Sequence, residues 1–364
     1  MTAPGGRDLW FVDDGRIMGG GQRVALRLAR FATAPPHERA ITFVCPDGSQ
    51  LAREARAAGF TTLHLDLPDP VPAAARRLGA SARRLRGLLA GADPGRTILV
   101  GNSARAQAVT MLAVATMRRH PPLVNLMQER DSAGRLSVRI THRIAGRVVA
   151  VGSDAAGAYA RALGAGRVRA MNNFLLPQEL EALTALRRPR GPGAPVVGVL
   201  GRVIPEKGIA EFVAELPPDD AAWSRVVLGG LAQDREYAAR VEEAIDAAGF
   251  TDRVVFAGEV PDLHVFLGEL DVLAVPSTGN EGQPTVILEG LAAGLGLVVR
   301  RPVWSADFDG LPVVPYDGAA DLSAALAHAA HAEPADTRVL AERFGPAQAL
   351  RALDAAAGGP RSIA

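Results

Sequence analysis

Short apolar runs alternate with helix-like segments along the first half of the chain. Between the runs, apolar residues recur at the spacing of an amphipathic helix. Strands are predicted at 9–12, 41–44, 61–65, 97–100, 123–127 and 148–151. Apolar runs of this length, separated by helices, predict a mostly parallel sheet that is covered on both faces. We therefore expect a doubly wound, Rossmann-like α/β domain over residues 1–180.

The alternation stops at a stretch rich in Pro and Gly and then resumes. Residues 187–195, RRPRGPGAP, cannot form a helix interior or a central strand, because Pro lacks the backbone N–H that both require. An interdomain linker is predicted at 181–195. The apolar run Val196–Leu200 opens a second series of strands and helices, which predicts a second Rossmann-like domain over 196–343 and a helical end at 344–364.

Composition narrows the classes of function. With 48% hydrophobic and 22% charged residues, the 364-residue chain is typical of a soluble globular protein of two domains. A net charge of +1 provides no basic field for nucleic acid. The single cysteine, Cys45, excludes an internal disulfide and fits a reducing compartment. Because the N-terminus lacks a signal-peptide pattern and no apolar run approaches about 18 residues, a cytoplasmic location is expected.

Three glycines follow the first predicted strand. Gly19, Gly20 and Gly21 lead into an apolar-periodic helix, and a strand, glycine loop and helix form a common phosphate-binding arrangement at the start of a parallel sheet. A dinucleotide fingerprint is excluded, because Val24 stands where its third glycine is required. The alternative is a tight turn without a ligand.

A polar loop follows the strand predicted at 123–127. It contains Gln128, Glu129, Arg130 and Asp131. Ligands of open parallel sheets bind beyond the carboxyl ends of the strands, so this loop is a candidate site for a polar or amino-bearing substrate. An ordinary solvated loop is the alternative.

Two cations occupy the loop after the first strand of the second domain. Arg202 and Lys207 lie between the strand and a helix predicted to begin near Glu206. Such a pair beside a helix N-terminus suits a diphosphate whose negative charge grows as a bond to it breaks. Lys207 is the one Lys among 40 basic residues, which suggests that a compact ammonium is needed there and a planar guanidinium does not serve.

Two carboxylates frame a helix entry further along the chain. Seven residues separate Glu281 from Glu289, so Glu281 is expected before the helix and Glu289 on its flank. Pro284 lies near the first helical position, and the free N–H groups of a helix start favour a negative charge. The arrangement suits an elongated ligand with hydroxyl groups at both ends and a phosphate between them.

These segments resemble the retaining, GT-B-fold glycosyltransferases of family 4. EGQPTVILEG, between PSTGN and LAAGLGLVV, is similar to the family's E-x7-E motif, and GRVIPEKG is similar to its second signature. The GGGQR loop at 19–23 is similar to the family's N-terminal glycine loop. The resemblance implies two Rossmann-like domains facing a central cleft, the first binding an acceptor and the second a nucleotide-diphosphate sugar. It also implies that the helix at 344–364 returns to the first domain.

The resemblance further implies a role for each candidate residue. Arg202 and Lys207 would stabilise the departing diphosphate, and Glu281 would position the donor sugar, so these three are the catalytic candidates. Glu289 would bind the ribose hydroxyls, and Val260 would lie beside the nucleobase. The donor-binding candidates are Gly20, Gly21, Val260, Gly282, Gln283, Pro284, Thr285 and Glu289. No metal or other cofactor is expected, because the two cations take a metal's place at the diphosphate.

The acceptor side departs from the family. Many relatives carry a His after the strand that corresponds to 123–127, where this chain has Gln128 and Glu129. Gln128, Glu129 and Arg130 are therefore the acceptor-side candidates, and the acceptor class is the least determined part of the interpretation.

A retaining transfer of a hexosyl group from a UDP- or GDP-sugar to a small polar acceptor, in natural-product or antibiotic biosynthesis, is the first interpretation. A second is an envelope or lipid glycosyltransferase at a membrane surface, since the helix predicted around 73–89 is rich in Arg. A third is a non-catalytic nucleotide-sugar-binding protein or another GT-B enzyme such as an epimerase. No nucleic-acid partner is expected, and the oligomeric state stays open.

Overall fold

The computed structural model describes residues 6–15, 18–67, 74–129, 146–189, 191, 193–218, 222–279 and 281–358. The chain divides into two compact units. Unit 1 comprises Met1–Phe174 and Pro346–Ala364, and unit 2 comprises Leu175–Gly345. Each unit contains one parallel sheet with helices packed on it.

The sheet of unit 1 has seven strands in the order β3-β2-β1-β4-β5-β6-β7. All its neighbouring strands are parallel. The strands are β1 (Asp8–Val12), β2 (Ile41–Cys45), β3 (Thr61–His64), β4 (Thr97–Gly101), β5 (Leu123–Met127), β6 (Arg147–Val151) and β7 (Val168–Met171). The helices are α1 (Gly20–Thr33), α2 (Gln50–Ala57), α3 (Ala74–Leu89), α4 (Ala104–Ala115) and α5 (Ser153–Leu163). Strands β2, β4 and β5 are buried along their whole length, which is why they are apolar without alternation.

The sheet of unit 2 has six parallel strands in the order β10-β9-β8-β11-β12-β13. The strands are β8 (Val196–Leu200), β9 (Arg225–Gly229), β10 (Val254–Gly258), β11 (Val272–Val275), β12 (Gly296–Arg300) and β13 (Val313–Tyr316). The helices are α6 (Pro177–Thr184), α7 (Ile209–Glu215), α8 (Arg235–Ala248), α9 (Leu263–Gly268), α10 (Thr285–Ala292), α11 (Ala319–His331) and α12 (Thr337–Arg343).

Both sheets reverse their strand order beside the first strand. The reversal lies between β1 and β4 in unit 1 and between β8 and β11 in unit 2. In open parallel sheets the loops that leave the two strands at such a point diverge to opposite faces and leave a crevice for a ligand. The loops after these four strands are therefore the first places to look for a site.

The last helix, α13 (Pro346–Gly358), belongs to unit 1. Its buried face includes Leu350 and Leu353, which pack in the same core as β1 and β2. The Arg39 guanidinium donates to both carboxylate oxygens of Asp354 at 2.8 and 2.7 Å. Hydrophobic burial and this paired charge hold the end of the chain on a sheet whose last strand ends almost 200 residues earlier, at Met171.

The boundary between the units differs from the linker expected at 181–195. The division falls after Phe174, and α6 belongs to unit 2, where Leu183 is buried in the core. Arg187 donates to the carbonyl oxygens of Ala292 and Ala335, at 3.0 and 2.9 Å, so the chain beyond α6 is also fixed to unit 2. The Pro- and Gly-rich composition identified the approach to β8, whereas burial of apolar side chains decides where unit 2 begins.

None of the helices in the described parts of the chain is both long and apolar enough to cross a membrane.

Candidate functional site

The loop after β8 turns sharply and lies against the loop after β11. A 3-10 turn spans Pro205–Lys207, and Gly208 follows with a φ of 62°, in the left-handed region. A Cβ on Gly208 would lie 2.3 Å from the carbonyl oxygen of Pro276, so only glycine fits. The Thr278 N–H donates to the Glu206 carbonyl oxygen at 3.0 Å. The two loops at the β8/β11 reversal are therefore one packed assembly.

Lys207 and Glu281 meet within that assembly. The Lys207 Nζ contacts Glu281 Oε1 directly, and the two side chains keep 20% and 22% of their surface exposed. The aliphatic stem of Lys207 passes Gly201, where a Cβ would lie 3.4 Å from it. The lone Lys of the chain and the first Glu of the E-x7-E segment, 74 residues apart, thus form an ion pair at the carboxyl edge of the sheet.

Arg202 lies on the same edge but points elsewhere. Its side chain is exposed, and Nη1 donates to Gln233 Oε1 at 3.4 Å, in the loop after β9. The backbone around it is fixed, since the Gly201 and Val203 N–H groups donate to Gly229 and Leu231 carbonyl oxygens at 3.0 Å. A fixed backbone with an exposed guanidinium leaves that cation available to a ligand.

Helix α10 begins after Glu281 and contains Glu289. Pro284 is its N-cap, with φ −59° and ψ 128°, and Thr285 is its first residue. Gln283 and Glu289 are only 3% and 5% exposed. The first N–H groups of a helix lack intrahelical acceptors and carry the positive end of the helix dipole, so the start of α10 suits an anion.

Val260 follows β10, two strands from β8 in the sheet order. It is half-buried, and its Cγ2 lies 2.7 Å from where a Cβ on Gly229 would be. A side chain at Gly229 would therefore overlap Val260 and Phe266. Lys207, Glu281, Arg202, Val260 and the start of α10 all lie at that edge of the unit 2 sheet.

The predicted residues of unit 1 also converge. Gly19 is the N-cap of α1, and its backbone N–H donates a hydrogen bond to Gln22 Oε1 at 3.1 Å. Gly20 is exposed with open space where a Cβ would stand. A Cβ on Gly21 would lie 2.8 Å from Gln128 Nε2, so the carboxamide of Gln128 packs flat on that glycine. The glycine loop after β1 and the polar loop after β5 thus meet.

The polar loop contains two further acceptor-side candidates. Glu129 has an exposed side chain, and its backbone carbonyl accepts a hydrogen bond from the Tyr159 hydroxyl at 3.3 Å. Arg130, the third acceptor-side candidate, lies outside the described residues.

Sequence reasoning missed Asp13, the residue that organises this part of unit 1. It directly follows β1 and is 1% exposed. Its Oδ1 accepts from the Gly15 N–H at 2.5 Å and from Gln22 Nε2 at 3.0 Å. Its Oδ2 accepts from Asn102 Nδ2 at 2.5 Å. Burial raises the pKa of this carboxyl, and the hydrogen bonds oppose the rise. The DDG sequence resembles a simple turn, although an acid directly after a predicted buried strand was a usable signal.

Asn102 connects Asp13 to Gln128. Its Nδ2 also donates to the Gly21 carbonyl oxygen at 3.2 Å, and its Oδ1 accepts from Gln128 Nε2 at 3.4 Å. We call Asp13, Asn102 and Gln128 the amide chain. It joins the loops after β1, β4 and β5, three neighbouring strands of the sheet.

Among the residues that the structure describes, no three or more His, Cys, Asp or Glu side chains lie together in a group that could hold a metal ion. Independence from metals stays a prediction.

Comparison with known proteins gives similarity in both units. Residues 194–331 match the family model described as Glycosyl transferases group 1. The lipopolysaccharide core biosynthesis mannosyltransferase LpcC of Rhizobium leguminosarum bv. viciae is 37% identical over 111 residues, 29% of this chain and 31% of that protein. The 2-deoxystreptamine N-acetyl-D-glucosaminyltransferase of Streptomyces fradiae is 38% identical over 108 residues, 29% and 25%. The matched segment thus spans less than a third of either relative.

Among solved structures, Alr3699/HepE of Anabaena, crystallised in complex with UDP, superposes with a TM-score of 0.69 at 18% identity, over 93% of this chain and 96% of that one. This likeness confirms the predicted α/β fold class, with two parallel sheets of the GT-B type. The chain therefore has the GT-B fold, and its residues 194–331 are similar to the Glycosyl transferases group 1 family.

Proposed function

We propose that this protein is a glycosyltransferase that moves a sugar from a nucleotide-diphosphate sugar to a small polar acceptor. The observation that carries the proposal is the assembly of Lys207, Glu281 and the start of α10 at the β8/β11 reversal, with the exposed cation Arg202 on the same edge. The match of residues 194–331 to Glycosyl transferases group 1 supports it. So do the two relatives, which are named as a mannosyltransferase and an N-acetylglucosaminyltransferase.

On this proposal unit 2 binds the donor. When the bond from the anomeric carbon to the diphosphate breaks, its electron pair goes to the phosphate oxygen, and Lys207 with Arg202 stabilises that growing charge. The backbone N–H groups of Gly282, Gln283 and Thr285 face a phosphate or a sugar hydroxyl, since Pro284 has none, and Glu281 positions the sugar. Glu289 takes the ribose hydroxyls, and Val260 lies along the base. UDP is the first nucleotide to test, because HepE was crystallised with it.

The finer points of the reaction belong to the same proposal. We infer transfer with retention of the anomeric configuration and without a metal, with the proton of the acceptor passing to the departing phosphate oxygen. A cytoplasmic location is also inferred. Trapping a covalent glycosyl adduct on any Asp or Glu would exclude this direct transfer from the diphosphate to the acceptor. NMR of the product identifies its anomer, and the opposite anomer would show inversion.

The proposal assigns the acceptor to unit 1, at Gln128, and keeps Gly20 and Gly21 of the adjoining glycine loop as donor-binding candidates. Natural-product or antibiotic biosynthesis is favoured by the Streptomyces fradiae relative, whose name gives 2-deoxystreptamine, a small amino-bearing ring, as its substrate. Envelope glycoconjugate synthesis is the second candidate, favoured by the LpcC relative and by the exposed Arg77, Arg83, Arg84 and Arg86 on α3.

The experiment is thermal unfolding of the purified protein with a panel of nucleotides and nucleotide sugars. A ligand that binds only the native state stabilises it by about 2.7 kcal/mol at 100 times its dissociation constant. One nucleoside diphosphate series should stabilise the wild type, and Lys207→Ala and Glu289→Ala should lose the response. Arg338→Ala, which removes one exposed cation from α12 of the same unit, should keep it. A protein that responds to no nucleotide would contradict the proposal.

A further inference from the structure

The hydrogen bonds of the amide chain run in one direction, which begins at the Asp13 carboxylate and which the Gly21 carbonyl oxygen reinforces. A carboxylate accepts hydrogen bonds and donates none, whereas each carboxamide has one accepting and one donating end. At ordinary resolution the two ends of a carboxamide are distinguished only by their partners. In the amide chain the first partner is a carboxylate, so the direction of every later hydrogen bond follows from it.

The direction can be followed atom by atom. The backbone N–H of Gly15 and the Nε2 of Gln22 both donate to Asp13 Oδ1, which leaves Oδ2 for Asn102. Asn102 must therefore turn its Nδ2 toward Asp13, at 2.5 Å, and its Oδ1 away. That oxygen then requires a donor, and Gln128 supplies Nε2 at 3.4 Å.

The last step leaves the oxygen of Gln128 as the free end of the chain. Within the ranges that the structure describes, Gln128 Oε1 accepts no hydrogen bond, and the side chain is half-buried. The carboxamide lies on Gly21, where a Cβ would come within 3.1 Å of three of its atoms, so packing holds it in place. A partly buried carbonyl oxygen held at a sheet edge is suited to accept a hydrogen bond from a ligand.

We propose that Asp13 is a positioning residue that acts through Asn102 to present Gln128 Oε1 to a hydroxyl or ammonium group of the acceptor substrate. The inference deepens the proposed function, on which its substrate part rests. Asp13 itself is too deeply buried to touch a substrate, at 1% exposure. Gln128 is the residue that would touch it.

Replacing Asp13 by Asn reverses the chain. Asn at 13 keeps an oxygen for Gly15 and Gln22 but turns an NH2 toward Asn102. Asn102 must then rotate to offer its oxygen, which also costs its hydrogen bond to the Gly21 carbonyl oxygen. Gln128 must rotate in turn, which presents an NH2 where the oxygen was. An ammonium group donates and cannot accept, so it loses its partner and meets a second donor instead.

The first test is neutron crystallography of the full chain as wild type and as Asp13→Asn, because deuterium positions identify the nitrogen of each carboxamide. The wild type should have Gln128 Nε2 facing Asn102, and the variant should have both carboxamides reversed. The same orientation in both proteins, or Nε2 facing outward in the wild type, would overturn the inference. The result does not depend on whether the protein transfers sugar, so it separates failure of this inference from failure of the proposed function.

The second test is kinetic, with 2-deoxystreptamine as the acceptor probe and the donor that stabilises the protein best. Asp13→Asn should raise the acceptor KM by about tenfold or more and change the donor KM by less than about twofold. Asp14→Asn is the matched control, because it removes the neighbouring charge outside the amide chain. Asp14 pairs with Arg105 at 3.0 Å. In this variant the acceptor KM and the donor KM should both stay unchanged. An Asp13 variant that changes the donor KM and kcat but not the acceptor KM would refute the role.

A double-mutant cycle shows whether Asp13 acts through Gln128. Gln128→Met keeps the length of the side chain and removes the carboxamide, so it should raise the acceptor KM as Asp13→Asn does. Adding Asp13→Asn to Gln128→Met should then have almost no further effect, since the atom that Asp13 positions is gone. Additive effects of the two changes would mean that Asp13 acts by another route. Near-native melting temperatures confirm that each variant is folded.

Discussion

At the scale of single residues, the one Lys of the chain distinguishes itself from the 39 Arg residues by where its tip and stem lie. The ammonium contacts Glu281 while the stem passes Gly201. A guanidinium is planar and wider than an ammonium, so it cannot make the same contacts from the same backbone position.

We therefore expect Lys207→Arg to fold normally and to bind the stabilising nucleotide at least about tenfold more weakly, by isothermal titration calorimetry. Arg202→Lys is the matched exchange at an exposed cation, and it should weaken binding less, because its side chain has room on all sides. Equal losses for the two exchanges would show that charge alone, and no restriction on shape, selects the residue at 207.

Asp13 gives a second prediction at this scale, on pH. Burial is the largest cause of the raised pKa of its carboxyl, from an ordinary value of 3.8. Between 3.8 and the raised value the folded state retains a proton that the unfolded state has lost. The contribution of Asp13 to the free energy of unfolding therefore falls as pH rises through this window, and the deficit is complete above the folded pKa.

Urea unfolding of the wild type and Asp13→Asn across pH measures this contribution. The stability of the wild type relative to the variant should decrease as pH rises above 3.8. A relative stability that increases with pH would mean that the hydrogen bonds from Gly15, Gln22 and Asn102 outweigh burial.

At the scale of elements, the loops after β8 and β11 are held together by backbone contacts that only glycine permits. Gly208 adopts φ 62° and its Cβ position lies 2.3 Å from the Pro276 carbonyl oxygen. Lys207 directly precedes it, so displacement of this turn moves the ammonium as well.

Gly208→Ala should lower the free energy of unfolding by about 3 kcal/mol or more, since backbone strain of about 1–3 kcal/mol adds to a steric overlap, and it should weaken nucleotide binding. Gly249→Ala is the control. Gly249 has a similar φ of 69° but nothing within 4 Å of its Cβ position, so only the strain is expected, at about 1 kcal/mol, with binding unchanged. Denaturation and titration calorimetry give both quantities. If the two substitutions lower the free energy of unfolding equally, overlap with the Pro276 carbonyl oxygen does not cause the loss at Gly208.

The sequence predicts most strands of this protein, but it does not predict which side chains meet at the site. Strands such as β4 were predictable because buried parallel strands are apolar throughout. Lys207 and Glu281 could be placed at carboxyl strand ends, but their contact depends on β8 and β11 being neighbours, which is strand order and leaves no local signal. Asp13 was missed because Asp-Asp-Gly is also an ordinary turn, and its burial arises from neighbours far away in sequence. The unit boundary differs from the predicted linker because Pro and Gly report backbone preference and say nothing of which core Leu183 joins.

At the scale of the whole molecule, the chain leaves unit 1 at Phe174 and re-enters it at Pro346. Unit 1 is therefore completed only by the final helix. Leu353 on α13 is fully buried in the core of unit 1, whereas Leu322 on α11 is fully buried in the core of unit 2. Truncating either to Ala removes similar apolar surface, and large-to-small changes at such sites cost about 2–5 kcal/mol.

The two truncations should therefore affect different units. In calorimetry with and without the stabilising nucleotide, the transition that the nucleotide raises belongs to unit 2, if unit 2 holds the donor. Leu322→Ala should lower that transition, and Leu353→Ala should lower the other one and leave the nucleotide response intact. Leu353→Ala lowering the nucleotide-sensitive transition by as much as Leu322→Ala would mean that the last helix stabilises both units together. Separate effects would mean that residues 346–358 complete the sheet of unit 1 and do not contribute to nucleotide binding.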